Sequence, residues 1–274
     1  MYINCRGRLI DLETPKVMGI LNLTPDSFYD GGRNTSAEKY LARTRAMLEE
    51  GATFIDLGAY SSRPGATHIS EEEELKRLLP VVELLVEEFP GIILSIDTFR
   101  SGIARKAVEA GAAMINDISA GGLDKNMMET VAELQVPYIM MHMRGNPKTM
   151  KDLNIYDDLV QDILFYFSEK ISQARDLGIN DLIIDPGFGF SKNIAQNFEL
   201  LNKLELFKNL DLPLLSGLSR KSLIYKIFNT TPDEALNGTT VLNTVSIMKG
   251  ANILRVHDVK EAVECVKLTQ RLKN

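Results

Sequence analysis

Eight short apolar runs rich in β-branched residues, nearly all ending on a polar or charged side chain and separated by helix-like segments, constrain this chain more than any other feature. In order they are Val17 to Asn22, Thr53 to Asp56, Ile92 to Asp97, Ala113 to Asn116 and Asp117, Pro137 to His142, Leu182 to Asp185, Pro213 to Gly217, and Asn252 to Arg255. Strands that alternate with helices predict a parallel sheet. In a closed parallel barrel the C-terminal strand ends converge on one mouth, so polar residues far apart in sequence can build a single site. A doubly wound open sheet has the same alternation, but its ligand residues cluster at a switch point and its first turn carries a dinucleotide glycine fingerprint. Here polar ends follow almost every strand, and no such fingerprint follows the first one. The expected fold is α/β, a single (β/α)8 TIM barrel.

One barrel accounts for all 274 residues, and 45% hydrophobic content suffices for its core, so residues 1–274 are expected to form one domain. No apolar run reaches bilayer length, and Met1-Tyr2-Ile3-Asn4-Cys5-Arg6 has neither the apolar region nor the cleavage site of a signal peptide, which points to a cytoplasmic protein with no membrane partner. Cys5 and Cys265 lack metal-like or nucleophile-like neighbours and read as reduced structural residues. A net charge of −6 argues against nucleic-acid binding but leaves local cations free to hold a small anion.

Residues 1–16 contain short alternating stretches around Gly7 and predict a hairpin that plugs the barrel bottom. Thr35 with Glu38, and Ser70 with Glu73, are capping boxes that open the first two helices. Gly51 stops the first, and Pro80 is expected to kink or divide the second. Later helices are expected near 101–110, 124–134, 156–177, 195–208, 220–228, 232–249 and 258–272. Thr231-Pro232-Asp233-Glu234 is a restart signal for an extra helix before the last strand.

The turn Asn22-Leu23-Thr24-Pro25-Asp26-Ser27-Phe28-Tyr29-Asp30-Gly31-Gly32 leaves the first strand with a composition suited to a mobile loop over a pocket. It is followed by Ser61-Ser62-Arg63-Pro64-Gly65-Ala66, Ile96-Asp97-Thr98, Ile115-Asn116-Asp117, Asp185-Pro186-Gly187-Phe188-Gly189-Phe190, Ser219-Arg220-Lys221-Ser222 and Arg255-Val256-His257-Asp258. In these blocks, their order and their spacing, the chain resembles the dihydropteroate synthase family across essentially its whole length. The resemblance implies a transferase of folate synthesis that condenses 6-hydroxymethyl-7,8-dihydropterin diphosphate with 4-aminobenzoate, giving 7,8-dihydropteroate and pyrophosphate. It also favours a homodimer. The apolar Val241, Leu242, Val245, Ile247 and Met248 face either the barrel or a partner.

The residues suit that chemistry. A pterin presents adjacent N–H donors, which Asp185, Asn116 and Asp97 can accept, while Lys221 can donate to the oxo and ring-nitrogen acceptors and Met140, Ile118 and Phe190 supply apolar walls. Arg63, Arg255 and His257, with the Ser62 hydroxyl, are candidates for the pyrophosphate, whose charge grows as the carbon–oxygen bond breaks. Arg255 also borders the pterin. Asn22 would ligate Mg²⁺ through its amide oxygen, supported by Asp56. Asp97 would stabilise a cation-like exocyclic carbon in a dissociative route. Phe28, Asp30, Ser62, Arg63 and Pro64 would close over the leaving group and, with Phe190, Lys221 and Ser222, build the aminobenzoate pocket.

Asp97, Lys221, Arg63 and Asn22 are thus the expected catalytic group. Helix capping would be the bland use of any one strand-end aspartate, as loop exposure and strand-end packing are for His68 and His142. Ala59 and Ser62 depart from the commonest family form, which bears on packing around aminobenzoate and its sulfonamide mimics. A pterin-binding methyltransferase domain is the nearest alternative, and a non-catalytic binding homologue the next; the intact Asn22, Asp97 and Lys221 weigh against both.

Overall fold

The computed structural model describes residues 1–23, 33–61 and 68–272, with the backbone alone for 33–36. A hairpin opens the chain: β1 (Tyr2–Cys5) and β2 (Arg8–Asp11) pair antiparallel, with Cys5 opposite Arg8. Its two-residue link, Arg6-Gly7, has φ of 53° and 84°. Tight hairpin turns need positive φ at both positions, which glycine adopts without steric cost.

Eight parallel strands follow: β3 (Lys16–Asn22), β4 (Phe54–Gly58), β5 (Leu94–Asp97), β6 (Met114–Asp117), β7 (Tyr138–Met141), β8 (Leu182–Asp185), β9 (Leu215–Ser216) and β10 (Ile253–Val256). They lie in the order β8-β7-β6-β5-β4-β3-β10-β9, and a parallel bridge between Ile184 and Leu214 joins the two ends of that row. This is the expected α/β barrel, nearly closed, with the expected N-terminal hairpin.

Side chains alternate in direction along a strand, and that period of two sorts this barrel. Leu57, Ile96, Met140, Ile184 and Leu254 pack outward with helix residues such as Leu78, Ile103 and Phe167. Met18, Phe54, Ile93, Met114, Ile139, Ile183, Leu215 and Ile253 form an inner layer continuous with Ile3, Cys5, Ile10 and Leu12, so the hairpin seals the bottom of the ring. Two residues further along the strands, the same inward direction delivers Asp56, Ser95, Asn116, Met141, Asp185 and Arg255 toward the other end. One sequence rule thus fills the base with hydrocarbon and the mouth with polar groups.

The outer layer contains α1 (Arg33–Glu49), α2 (Glu71–Glu88), α3 (Ser101–Glu109), α4 (Met127–Leu134), α5 (Leu159–Asp176), α6 (Ile194–Asn202), α7 (Ser222–Tyr225), α8 (Leu236–Met248) and α9 (Val259–Arg271). Helix α1 begins at Arg33, so Thr35 lies inside it rather than at its cap. Ser70 does cap α2, accepting from the Glu73 amide at 3.2 Å. Pro80 does not divide α2; it sits on an exposed face, where water can serve the carbonyl that proline leaves without a donor. The segment expected at 195–208 is α6 followed by a 3₁₀ turn, Leu204–Leu210. Thr231 and Glu234 form their capping box around a short 3₁₀ turn that leads into α8, the extra helix together with α7 before β10. Cys5 and Cys265 are buried and unpaired. Among the described residues no helix is long and apolar enough to cross a membrane.

Candidate active site

Arg255 organises the centre of the mouth. Its Nε donates to Asp56 Oδ2 at 2.5 Å and its Nη2 to Asp97 Oδ2 at 2.6 Å. Asn116 Nδ2 donates to the same Asp56 oxygen at 3.1 Å. Strand register explains the meeting, because Gly58 pairs with Asp97 and Asp97 with Asn116 on successive neighbours. Gly58 allows a close approach here: a Cβ on it would lie 3.3 Å from the Asp97 Cβ, so Asp97 would have to shift by a few tenths of an ångström. Arg255 and Asp97 keep 20% and 18% of their side-chain surface exposed, so they can meet a ligand directly. Burial pushes the Asp97 carboxyl up to about 7, opposed by the Arg255 guanidinium and reinforced by the charge of Asp56. Burial also works against the Arg255 charge, but Asp56 and Asp97 outweigh it and hold this guanidinium above its usual range.

A second group sits on the turn after β8. Asp185 Oδ1 accepts from the Gly187 amide at 2.8 Å. Gly187 has φ of 74°, and a Cβ there would fall 2.1 Å from the His142 carbonyl oxygen, so only glycine fits. Lys221 Nζ donates to the Phe188 carbonyl and lies 4.8 Å from the centroid of the Phe190 ring. A Cβ on Gly217 would lie within 3.9 Å of both Asp185 Oδ2 and Lys221 Nζ, which brings the acid and the amine to one place. Burial raises the Asp185 carboxyl, against the pull of Lys221, and lowers Lys221 to about 8, against the pull of Asp185. From behind the turn, Lys192 Nζ donates to Gly187 O at 3.1 Å and Phe190 O at 3.0 Å and meets His142 Nδ1 at 3.1 Å. Burial lowers Lys192 to about 7 and, with the charges of Lys192 and Arg144, keeps His142 neutral.

Ile118, Met141, Met143 and Met150 form an apolar cluster above the barrel, with Phe99, Leu123 and Phe190 packed on it. This corrects the expectation for Met140. Its side chain belongs to the outer core between sheet and helices, whereas Met141 shares the inward direction of Ile139 and pairs with Asp185 across β7 and β8. The signal was available in the sequence, since the alternation phase of Pro137 to His142 selects Met141.

At the far side, His257 follows β10 and is tied to Ser219, whose Oγ meets His257 Nδ1 at 3.0 Å and accepts from the His257 amide at 3.1 Å. Arg220 pairs with Asp258 at 2.8 Å and donates to the Pro232 and Asp233 carbonyls, each at 3.0 Å. Asn22 ends β3, and its side chain has no hydrogen-bond partner among the described residues. Asp56 was expected to support Asn22 but instead joins Arg255 and Asn116, because its carboxylate points inward at the level of β10 and β6. Ser222 begins α7 directly after Lys221. His68 is held by the Tyr60 hydroxyl at 3.2 Å, and His142 by Lys192. Phe28, Asp30, Ser62, Arg63 and Pro64 lie outside the described residues. Sequence reasoning also missed Lys192, which carries no motif signal apart from following the glycine-rich turn.

Three carboxylates, an amide and two cations therefore share one barrel mouth beside an apolar cluster. A family model described as pterin binding enzyme matches residues 18–257. The chain is 43% identical over 272 residues to the dihydropteroate synthase of Escherichia coli strain K12, covering 98% of this chain and 96% of that one. It matches the solved structure of the Yersinia pestis dihydropteroate synthase in a sulfonamide drug complex with a TM-score of 0.93 and 42% identity, covering 100% of this chain and 99% of that one. For Xanthomonas albilineans dihydropteroate synthase with 4-aminobenzoic acid, the TM-score is 0.92 and the identity 41%, with 99% and 98% covered.

Proposed function

Because this chain belongs to the dihydropteroate synthases, a family of pterin-binding enzymes, we propose that its barrel mouth joins 6-hydroxymethyl-7,8-dihydropterin diphosphate to 4-aminobenzoate and releases pyrophosphate. The observation that carries the residue assignment is the Arg255 guanidinium, 2.6 Å from Asp97 and linked through Asp56 to Asn116. A carboxylate cannot donate, so the amide nitrogen of Asn116 must face Asp56, which leaves its oxygen to accept a pterin N–H. Asp185 accepts from the same edge, Lys221 donates to the oxo side, and Ile118, Met141 and Phe190 flank the ring.

Departure of pyrophosphate builds negative charge on the leaving oxygen and positive charge on the exocyclic carbon. His257, Asn22, Arg63 and the Ser62 hydroxyl receive the first, and the Asp97 carboxylate stabilises the second. Asn22 fits a Mg²⁺ ligand: a single amide oxygen with no described protein partner suits an ion that takes few protein oxygens and fills its shell with water and substrate phosphate. When bound, Mg²⁺ would neutralise diphosphate charge. The amine of 4-aminobenzoate then attacks the carbon and passes its proton to solvent. Phe28, Pro64, Phe190, Lys221 and Ser222 line its pocket, and the loop carrying Asp30 keeps water from the cation.

A cytoplasmic homodimer completes the proposal. Ile227, Phe228, Val241 and Met248 are exposed on α8 and the segment before it, whereas Ile247 of the same helix is buried against the barrel. Exposed apolar side chains of this kind suit contact with a second copy of the chain. Pyrophosphate release is expected to require both substrates. Release from the pterin diphosphate alone, undiminished without 4-aminobenzoate, would contradict the synthase reading.

A further inference from the structure

Asp56 is the most completely buried of the charged groups gathered in the mouth and has no counterpart in the reaction scheme. Its side chain is fully buried, and one carboxylate oxygen, Oδ2, accepts from both Arg255 Nε at 2.5 Å and Asn116 Nδ2 at 3.1 Å. The other, Oδ1, is buried without a hydrogen-bond partner among the described residues. Its register partner on β5, Ser95, is likewise fully buried with an unpartnered hydroxyl. Buried polar atoms are nearly always paired, and an unpaired carboxylate oxygen is a costly choice for stability alone. An apolar residue at this position would join the inner layer formed by Phe54 and its neighbours. Retaining a charge here has a functional rationale.

We propose that Asp56 is a positioning residue for pterin recognition: it fixes which end of the Asn116 amide faces the ligand and holds the Arg255 guanidinium beside Asp97. Geometry supplies the reason. A carboxamide has a donor end and an acceptor end, and only the acceptor end can serve a pterin N–H. With an acceptor-only carboxylate beneath it, Asn116 is locked with its oxygen toward the ligand. Arg255 cannot swing toward solvent without abandoning Asp56, so it stays at the level of Asp97. The proposal rests on the pterin reading of the site above. It adds a residue that touches neither substrate and acts through two that do.

Asp97 is faced by Arg255 from β10, Asp56 from β4, Glu74 from α2, Asp117 from β6 and Lys221 from the loop after β9. Removing the Asp56 charge takes away a like charge and frees Arg255 to pair with Asp97 alone. Both changes favour the ionised form of Asp97.

The test compares steady-state kinetics of full-length Asp56→Asn and wild type, by pyrophosphate release. Asp56→Asn is expected to raise KM for the pterin diphosphate by ~10-fold or more, leave KM for 4-aminobenzoate within about twofold, and move the acid limb of the pH profile to lower pH. A merely structural role would lower active-enzyme yield without that split or that shift. A second arm uses Asn116→Asp, which sets two carboxylates against each other. The double variant Asp56→Asn with Asn116→Asp restores one donor and one acceptor, so it should recover at least ~10-fold of the pterin kcat/KM lost by Asn116→Asp alone. Additive losses in the cycle, or an Asp56→Asn enzyme with unchanged pterin KM and acid limb, would overturn the proposal. Failure of wild type to release pyrophosphate would instead overturn the synthase reading on which it stands.

Discussion

At the residue scale, chemistry in this mouth depends on groups kept away from their ordinary ionisation. Burial holds Asp97 near 7 and Lys221 near 8. In the proposed reaction Asp97 acts ionised, to stabilise a cation, and Lys221 acts protonated, to donate to the pterin. The kcat/KM for pterin diphosphate is therefore expected to rise as pH passes about 7 and to fall as it passes about 8. Asp97→Asn should remove the acid limb and lower kcat by ~10²- to 10³-fold. A profile that stays flat across both limbs, or an Asp97→Asn enzyme of near-normal kcat, would contradict these roles.

Residue identity was legible where a strand end left one polar side chain facing the mouth, as with Asp97, Asn116, Asp185 and Arg255. It was not legible where two similar residues sit side by side. Met140 and Met141 differ by the phase of a two-residue period, and the structure assigns the inward direction to Met141. Nor does a strand-end aspartate announce its partner: Asp56 meets Arg255 and Asn116, which stand 199 and 60 residues away in the chain.

At the scale of elements, the turn between β8 and α6 holds the site together. Two lysines grip its carbonyls, Lys221 at Phe188 and Lys192 at Gly187 and Phe190. Lys192→Met should remove the ammonium donor from the Gly187 and Phe190 carbonyls, leaving Gly187 O only its bond from the Phe190 amide, and raise pterin KM by ~10-fold, read by initial rates against wild type. Lys192 also links to stability. Its folded value, about 7, lies below its ordinary 10.5, so between those limits the unfolded chain binds a proton that the native state does not. Its contribution to native stability therefore rises with pH across that window, and Lys192→Met should flatten this slope in thermal melts; an unaltered slope would exclude Lys192 as its source.

The hairpin of β1 and β2 lies at the opposite end of the barrel. Ile3→Ala removes a buried side chain from the layer shared with Met18 and Phe54, at a cost of ~2–5 kcal/mol, and should lower Tm while leaving kcat per folded molecule unchanged. Hairpin and helices were readable from turn glycines, caps and periodicity. Their limits were less so: the barrel context starts α1 at Arg33, ahead of its Thr35 capping signal, and shortens β9 to Leu215–Ser216.

For the whole molecule, alternating strands and helices determine where chemistry can occur. Among the described residues an apolar inner layer fills the base and leaves the mouth to polar side chains beside the Met141 cluster, where the cations offset the carboxylates proposed to read the pterin. The outer face is a separate matter. Phe228 and Val241 remain exposed, and Phe228→Asp with Val241→Asp is expected to convert a dimer to a monomer in sedimentation analysis; a wild-type chain that sediments as a monomer at micromolar concentration would contradict the dimer proposal.

Acids deep in the mouth are proposed to read the pterin while donors at its rim receive the diphosphate. A crystal structure with pterin and pyrophosphate bound measures this most directly. The expected result places the pterin amino edge on Asp185 and the Asn116 oxygen, its oxo side on Lys221, and the pyrophosphate beside His257 and Asn22. A pterin seated away from Asp97, Asn116 and Asp185, or a pyrophosphate remote from His257, would contradict the account.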